Sequence, residues 1–102
     1  MPARHALTKL RNLPPGTGKA FTVAGRRVGL FNVDGRIHAI DDICPHAGAP
    51  LSDGPLSGKI VSCPWHGAEY DVTSGKVLSP PACRDVQSFP VFVNGDSIEV
   101  EL

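Results

Sequence analysis

Apolar and polar side chains alternate along much of this chain, and glycine or proline interrupts the alternation at short intervals. Period-two patterning of this kind is the mark of β-strands with one face buried. Residues 6–11 (Ala-Leu-Thr-Lys-Leu-Arg) predict an outer strand, and Leu13-Pro14-Pro15-Gly16 turns the chain. Residues 20–24 and 27–33 predict paired strands about a turn at Gly25. Asp34-Gly35 is a strong hairpin signal, because both central residues of a type I′ turn need positive φ. It leads into a strand over residues 36–40. Residues 86–93, the Asn94-Gly95 turn and residues 97–102 predict a last hairpin closing the barrel. Pro90 gives that hairpin an edge position or a bulge, since proline cannot donate to a strand ladder.

The middle of the chain differs. From Ile43 to Cys83 it is rich in proline, glycine and serine, with short strands predicted at residues 59–62 and 69–71. The expected fold class is therefore all-β: one unit over residues 1–102, an antiparallel barrel or sandwich scaffold with a small subdomain inserted at about 43–83. No stretch carries a long helical period. Asp41 and Asp42 read as a solvated strand end rather than a carboxylate pair for acid–base work.

Composition narrows the function. Ten basic and ten acidic side chains cancel, so neither a nucleic acid nor an anionic membrane is suggested as a partner. The N-terminal MPARHALTKLRNLPPG lacks the continuous apolar core of a secretory signal, and no apolar run approaches a membrane span. A cytoplasmic protein is expected. Three cysteines, an odd number, fit a metal site or thiols better than a disulfide scaffold.

The candidate chemistry lies in the middle segment. Cys44-Pro45-His46 and Cys63-Pro64-Trp65-His66 each offer one thiolate and one imidazole. The residues between the two loops are enough for a strand to leave the first and return with the second. Cys-x-His paired with Cys-x-x-His is the ligand set of a Rieske [2Fe–2S] centre, where two histidines replace two cysteines on one iron. On this reading Cys44 and Cys63 hold the inner iron as thiolates, and His46 and His66 hold the outer iron through neutral imidazoles. Neutral ligands remove negative charge from the cluster, so reduction is easier than in plant-type ferredoxins, at roughly −150 to +300 mV. A structural zinc site is the competing reading. Zinc modules, however, usually pair two closely spaced cysteines with two closely spaced histidines rather than mixing them in each loop. A Cys44–Cys63 disulfide would leave both histidines without purpose. Gly48 and Gly67 stand where the backbone must aim N–H groups inward, and Pro45 and Pro64 stiffen each loop after its cysteine. Trp65 reads as packing over the cluster, with an exposed docking rim as the alternative. Cys83 reads as a buried, inert thiol, and His5 and His38 as ordinary surface or strand residues.

The wording around these ligands, CPHAGAPLSDG and CPWHGAEYDVTSG, resembles the Rieske ferredoxins of multicomponent ring-hydroxylating dioxygenases. The likeness extends to LSDGPLSG at 51–58, TSGKVLSPPAC at 73–83 and FPVFVNGDSIEVEL at 89–102. It implies one Rieske-type cluster and a monomeric electron carrier that is not itself an enzyme. A flavin-dependent NAD(P)H reductase would supply one electron, and a terminal oxygenase would receive it. It also implies a third loop, with Pro80 and Pro81, covering the cluster. High-potential members carry a disulfide between the loops at positions matching Ala49 and Trp65, and a serine hydroxyl where this chain has Ala68. Only Tyr70 is left to donate toward a cysteine sulfur, which implies the low-potential end. The same cluster would also serve a small subunit of an oxidoreductase such as assimilatory nitrite reductase.

Overall fold

The computed structural model describes residues 3–45, 48–65, 67–79 and 84–102. The strands in order are β1 (Arg4–Lys9), β2 (Gly18–Val23), β3 (Arg26–Val33), β4 (Arg36–Asp41), β5 (Leu56–Ser57), β6 (Ile60–Ser62), β7 (Glu69–Asp71), β8 (Lys76–Val77), β9 (Ser88–Phe89), β10 (Val91–Asn94) and β11 (Ser97–Glu101). They form three antiparallel sheets, ordered β1-β11-β10, β2-β3-β4-β9 and β5-β6-β7-β8. The fold is all-β, as the alternation predicts.

The second sheet is the middle layer. Along β3, Val28 and Leu30 enter one core with Ile37, Ala39, Phe89, Ile98 and Val100, shared with the first sheet. Phe31, pointing the other way, joins Ile40 in a second core with Leu51, Val61, Tyr70, Val72 and both Cys44 and Cys63. A strand with both faces covered reads as a nearly continuous apolar run, which is what residues 28–31 show. Leu51, Val61 and Val72 are each fully buried. Each such side chain contributes roughly 1.5–3 kcal/mol. That is enough to hold a third sheet whose strands are only two or three residues long.

The hairpins follow their turn residues. Ala24-Gly25 and Asp34-Gly35 all have positive φ, the type I′ pattern. The last turn is shifted by one from the sequence expectation. Asn94 pairs with Ser97, so Gly95 and Asp96 are the central residues. Only Gly95 has positive φ, the II′ pattern. β1 begins and ends earlier than the alternation predicts, because its register shifts between Ala6 and Thr8 and Leu10–Asn12 closes into a 3-10 turn. β5 and β8 are too short to leave a period in the sequence. Pro90 is neither a bulge nor an edge residue within one strand. It lies between β9, paired with β4, and β10, paired with β11, at the point where the chain changes sheets. Its carbonyl still accepts the Glu101 N–H at 3.0 Å.

Candidate metal centre

Two loops bring the predicted cysteines into one core. The first leaves β4, and the second joins β6 to β7. Their tips share one hydrogen-bonding pattern. The Cys44 N–H donates to the Ala49 carbonyl at 2.9 Å, and the Gly48 N–H donates to the Cys44 carbonyl at 2.8 Å. In the second loop, Cys63 N–H donates to the Ala68 carbonyl at 2.8 Å and Gly67 N–H to the Cys63 carbonyl at 3.0 Å. The closing glycine stands four residues after the cysteine in each case, although the histidine stands two residues after it in one loop and three in the other. Gly48 and Gly67 have φ of 74° and 77°, a region that a side chain makes costly. A tight turn with a left-handed closing residue is therefore written into both loops.

Cys44 and Cys63 are 1% and 3% exposed. They share a core with Ala49, Ala68 and Tyr70. Thiolates in such apolar surroundings are unfavourable by themselves, and metal coordination is the chemistry that stabilises them. The Tyr70 ring is fully buried, and its hydroxyl lies 3.7 Å from Cys44 Sγ, within reach of a hydrogen bond to sulfur. The donor set therefore fits an iron–sulfur cluster on the side where it is described. The predicted ligands His46 and His66 lie outside the described residues, as do Ala47, Pro80, Pro81 and Cys83.

Two sequence expectations need correction. Asp42 is not a solvated strand end. Its side chain is fully buried, and the carboxylate accepts the Arg27 guanidinium at 3.1 Å and the Ser52 N–H at 2.8 Å. The neighbouring Asp41 does face solvent in part and meets Arg26 at 3.4 Å. Asp41 ends β4, and Asp42 opens the following loop with its side chain turned into the core. Trp65 does not pack inward. It is 65% exposed, on the tip of the second loop beside His66. Ile43 and Leu78 are also exposed, and Leu78 N–H bonds the Glu69 carbonyl beside that loop.

His38, on β4, is partly buried. Burial pushes its imidazole below the ordinary 6.5; Asp71 opposes this and Arg36 adds to it. It lines a shallow groove of about 520 Å³ with Ile37, Thr73, Phe89 and Pro90, and neither Cys44 nor Cys63 is among the described residues that line it. No helix among the described residues is long and apolar enough to cross a membrane.

Known proteins share this fold. The family described as the Rieske [2Fe-2S] domain matches residues 3–90. The ferredoxin component of a naphthalene 1,2-dioxygenase system from Pseudomonas aeruginosa is 34% identical over 93 residues, 91% of this chain and 89% of that protein. The ferredoxin of carbazole 1,9a-dioxygenase from Nocardioides aromaticivorans IC177 superposes with a TM-score of 0.91 at 30% identity, covering 95% of both chains. A chain from the complex of reduced oxygenase and oxidized ferredoxin in carbazole 1,9a-dioxygenase gives 0.90 at 28% identity, covering 95% of this chain and 91% of its own length. With two buried cysteines on matching turns, and with relatives that are electron carriers rather than catalytic subunits, the chain belongs to the Rieske [2Fe–2S] family as a ferredoxin with one Rieske-type cluster.

Proposed function

We propose that Cys44 and Cys63 bind the inner iron, and His46 and His66 the outer iron, of that cluster. The observation that carries this is the matched pair of turns, each opening on a buried cysteine and closing on a left-handed glycine. When bound, the cluster takes up and releases one electron. The chain's own part is to hold two thiolates in an apolar core and to exclude water from them. The segment of about 43–83 then acts as the cluster-binding subdomain of one unit spanning 1–102.

The protein carries that electron from a flavin-dependent NAD(P)H reductase to a terminal ring-hydroxylating oxygenase, as a cytoplasmic monomer. Support comes from the relatives' dioxygenase systems and from the solved ferredoxin–oxygenase complex. The exposed Trp65 beside His66 supports a contact rim where the outer iron faces its partner. Buried alanines at 49 and 68, and an exposed tryptophan at 65, supply neither a disulfide between the loops nor a hydroxyl donor at those positions. Tyr70 places a hydroxyl beside Cys44, and the alanines at 49 and 68 support a potential at the low end.

The test is spectroscopy with reconstitution. Protein purified without air should show a Rieske absorption spectrum and, after dithionite, a reduced-state EPR signal of low average g. His46→Ala and His66→Ala should each lose both signals and electron delivery to the oxygenase. A normal cluster in either variant would contradict the ligand assignment. A large chain that co-purifies in fixed stoichiometry would instead favour the role of a reductase small subunit.

A further inference from the structure

Asp42 is the one fully buried charged side chain among the described residues, and electron carriage as set out above does not use it. It sits two positions before Cys44, so their Cα atoms are separated by roughly 7 Å at most. Its contacts all run between the scaffold and the first ligand loop. On the scaffold side, Oδ2 meets Arg27 Nη2 at 3.1 Å, and the Asp42 N–H donates to the Arg27 carbonyl at 3.1 Å. On the loop side, Oδ1 accepts the Ser52 N–H at 2.8 Å, and the Asp42 carbonyl accepts the Leu51 N–H at 2.6 Å. Gly29 leaves room for it: a Cβ there would lie 3.0 Å from Oδ1.

We propose that Asp42 is a positioning residue for the Cys44 loop whose buried carboxylate, unequally offset by Arg27, lowers the reduction potential of the cluster. The proposal rests on Cys44 being a ligand. The imbalance comes from exposure. Asp42 has no solvent contact, whereas the Arg27 side chain is 47% exposed. Water screens the guanidinium and leaves the carboxylate acting through a medium of lower dielectric. The residual field at Cys44 is negative. Reduction adds negative charge to the cluster, so this field opposes it.

Removing either partner loosens the same latch but changes the field with opposite sign. A purely structural role would move the potential in the same direction in both variants, or not at all. Holoprotein with Asp42→Asn, Arg27→Gln or Arg27→Lys would be titrated potentiometrically at pH 8 and low salt, followed by its visible and EPR spectra. Asp42→Asn keeps an acceptor for Ser52 and should shift the midpoint upward. Arg27→Gln should shift it downward by less, and Arg27→Lys should return it to the parental value. Unchanged midpoints, or shifts of the same sign for the first two, overturn the proposal. Where Asp42→Asn fails to assemble a cluster, the Arg27 pair decides: a downward shift rescued by lysine supports the proposal, and an unmoved midpoint sinks it. Absence of a Rieske spectrum in the unsubstituted protein would overturn the ligand reading, and this proposal with it.

Discussion

The two cysteine loops end alike and begin differently. At the tip, each makes the same pair of hydrogen bonds around its cysteine and closes on a glycine at positive φ. At the root, the second loop stands on a regular hairpin, with Ile60, Val61 and Ser62 paired to Asp71, Tyr70 and Glu69. Among the described residues the first has a single bridge, Ile43 to Pro50, and below it the buried Asp42 bonded to Leu51 and Ser52. A strand ladder holds one root, and one buried aspartate, through its carbonyl and its carboxylate, holds much of the other. Equal tips need equal support, and that support can come from repeated backbone bonds or from one strong charge-assisted contact.

The largest expected effect comes from breaking what both roots share. Gly54 follows the 3-10 turn that ends the first loop, and an added Cβ would overlap the backbone carbonyl of Ser62, at the root of the second. Neither backbone can yield easily, so Gly54→Ala should cost about 3 kcal/mol in chemical unfolding of the holoprotein. An unchanged midpoint would mean that the two roots are not rigidly joined.

Asp42→Ala should cost about 2 kcal/mol, because it leaves the Ser52 N–H without its acceptor. Hydrogen exchange makes the comparison sharper. The Leu51 and Ser52 amides should exchange faster in this variant, while those of Ser62 and Cys63 keep their protection. Equal acceleration at both roots would remove the distinction.

Tyr70→Phe lies between the loops, on the second but reaching toward the cysteine of the first. Losing its hydroxyl should cost about 1 kcal/mol and shift the midpoint potential downward, since a donor to sulfur favours the reduced state. A rise in potential would exclude Tyr70 as that donor.

The smallest effect belongs to the sheet that carries the second root. Lys59 meets Asp71 at 3.3 Å with the lysine mostly exposed, so Lys59→Ala should cost about 0.5 kcal/mol and less in high salt. Burial pushes the Asp71 carboxyl up, but bonds from Thr73 and the nearby Lys59 outweigh it and hold the carboxyl below its ordinary 3.8. The stability it contributes is therefore full above that value and is lost as pH falls through the lower folded one. Urea unfolding at pH 5 and pH 3 should show the loss, and Asp71→Asn should flatten it.

Much of the fold and the pair of cysteine turns was legible because it rests on local chemistry. Alternation marks β2 and β4, a short apolar run marks β3, and Asp34-Gly35 marks its turn through φ alone. The two cysteines with their following glycines mark the loops. Pro90 was legible as an interruption but not as a change of sheet, because a missing N–H says nothing about which strand comes next. Residues 56–57 and 76–77 were illegible as strands, since two residues have no period; their pairing with β6 and β7 comes from the core beneath them.

Asp42 and Trp65 show most clearly where local reading ends. The sequence by itself determined the all-β class, the two Cys-His loops and the turns that close them, because residue type and spacing set those at short range. It did not determine that one of two adjacent aspartates is buried while its neighbour meets solvent in part, or that the tryptophan faces out. The first depends on what stands opposite Asp42 when the layers pack: Gly29 to leave room, Arg27 to supply charge and Ser52 to supply an N–H. These partners are remote in the chain. Only packing the layers brings them together, and the cost of burying an unpaired charge makes that packing specific.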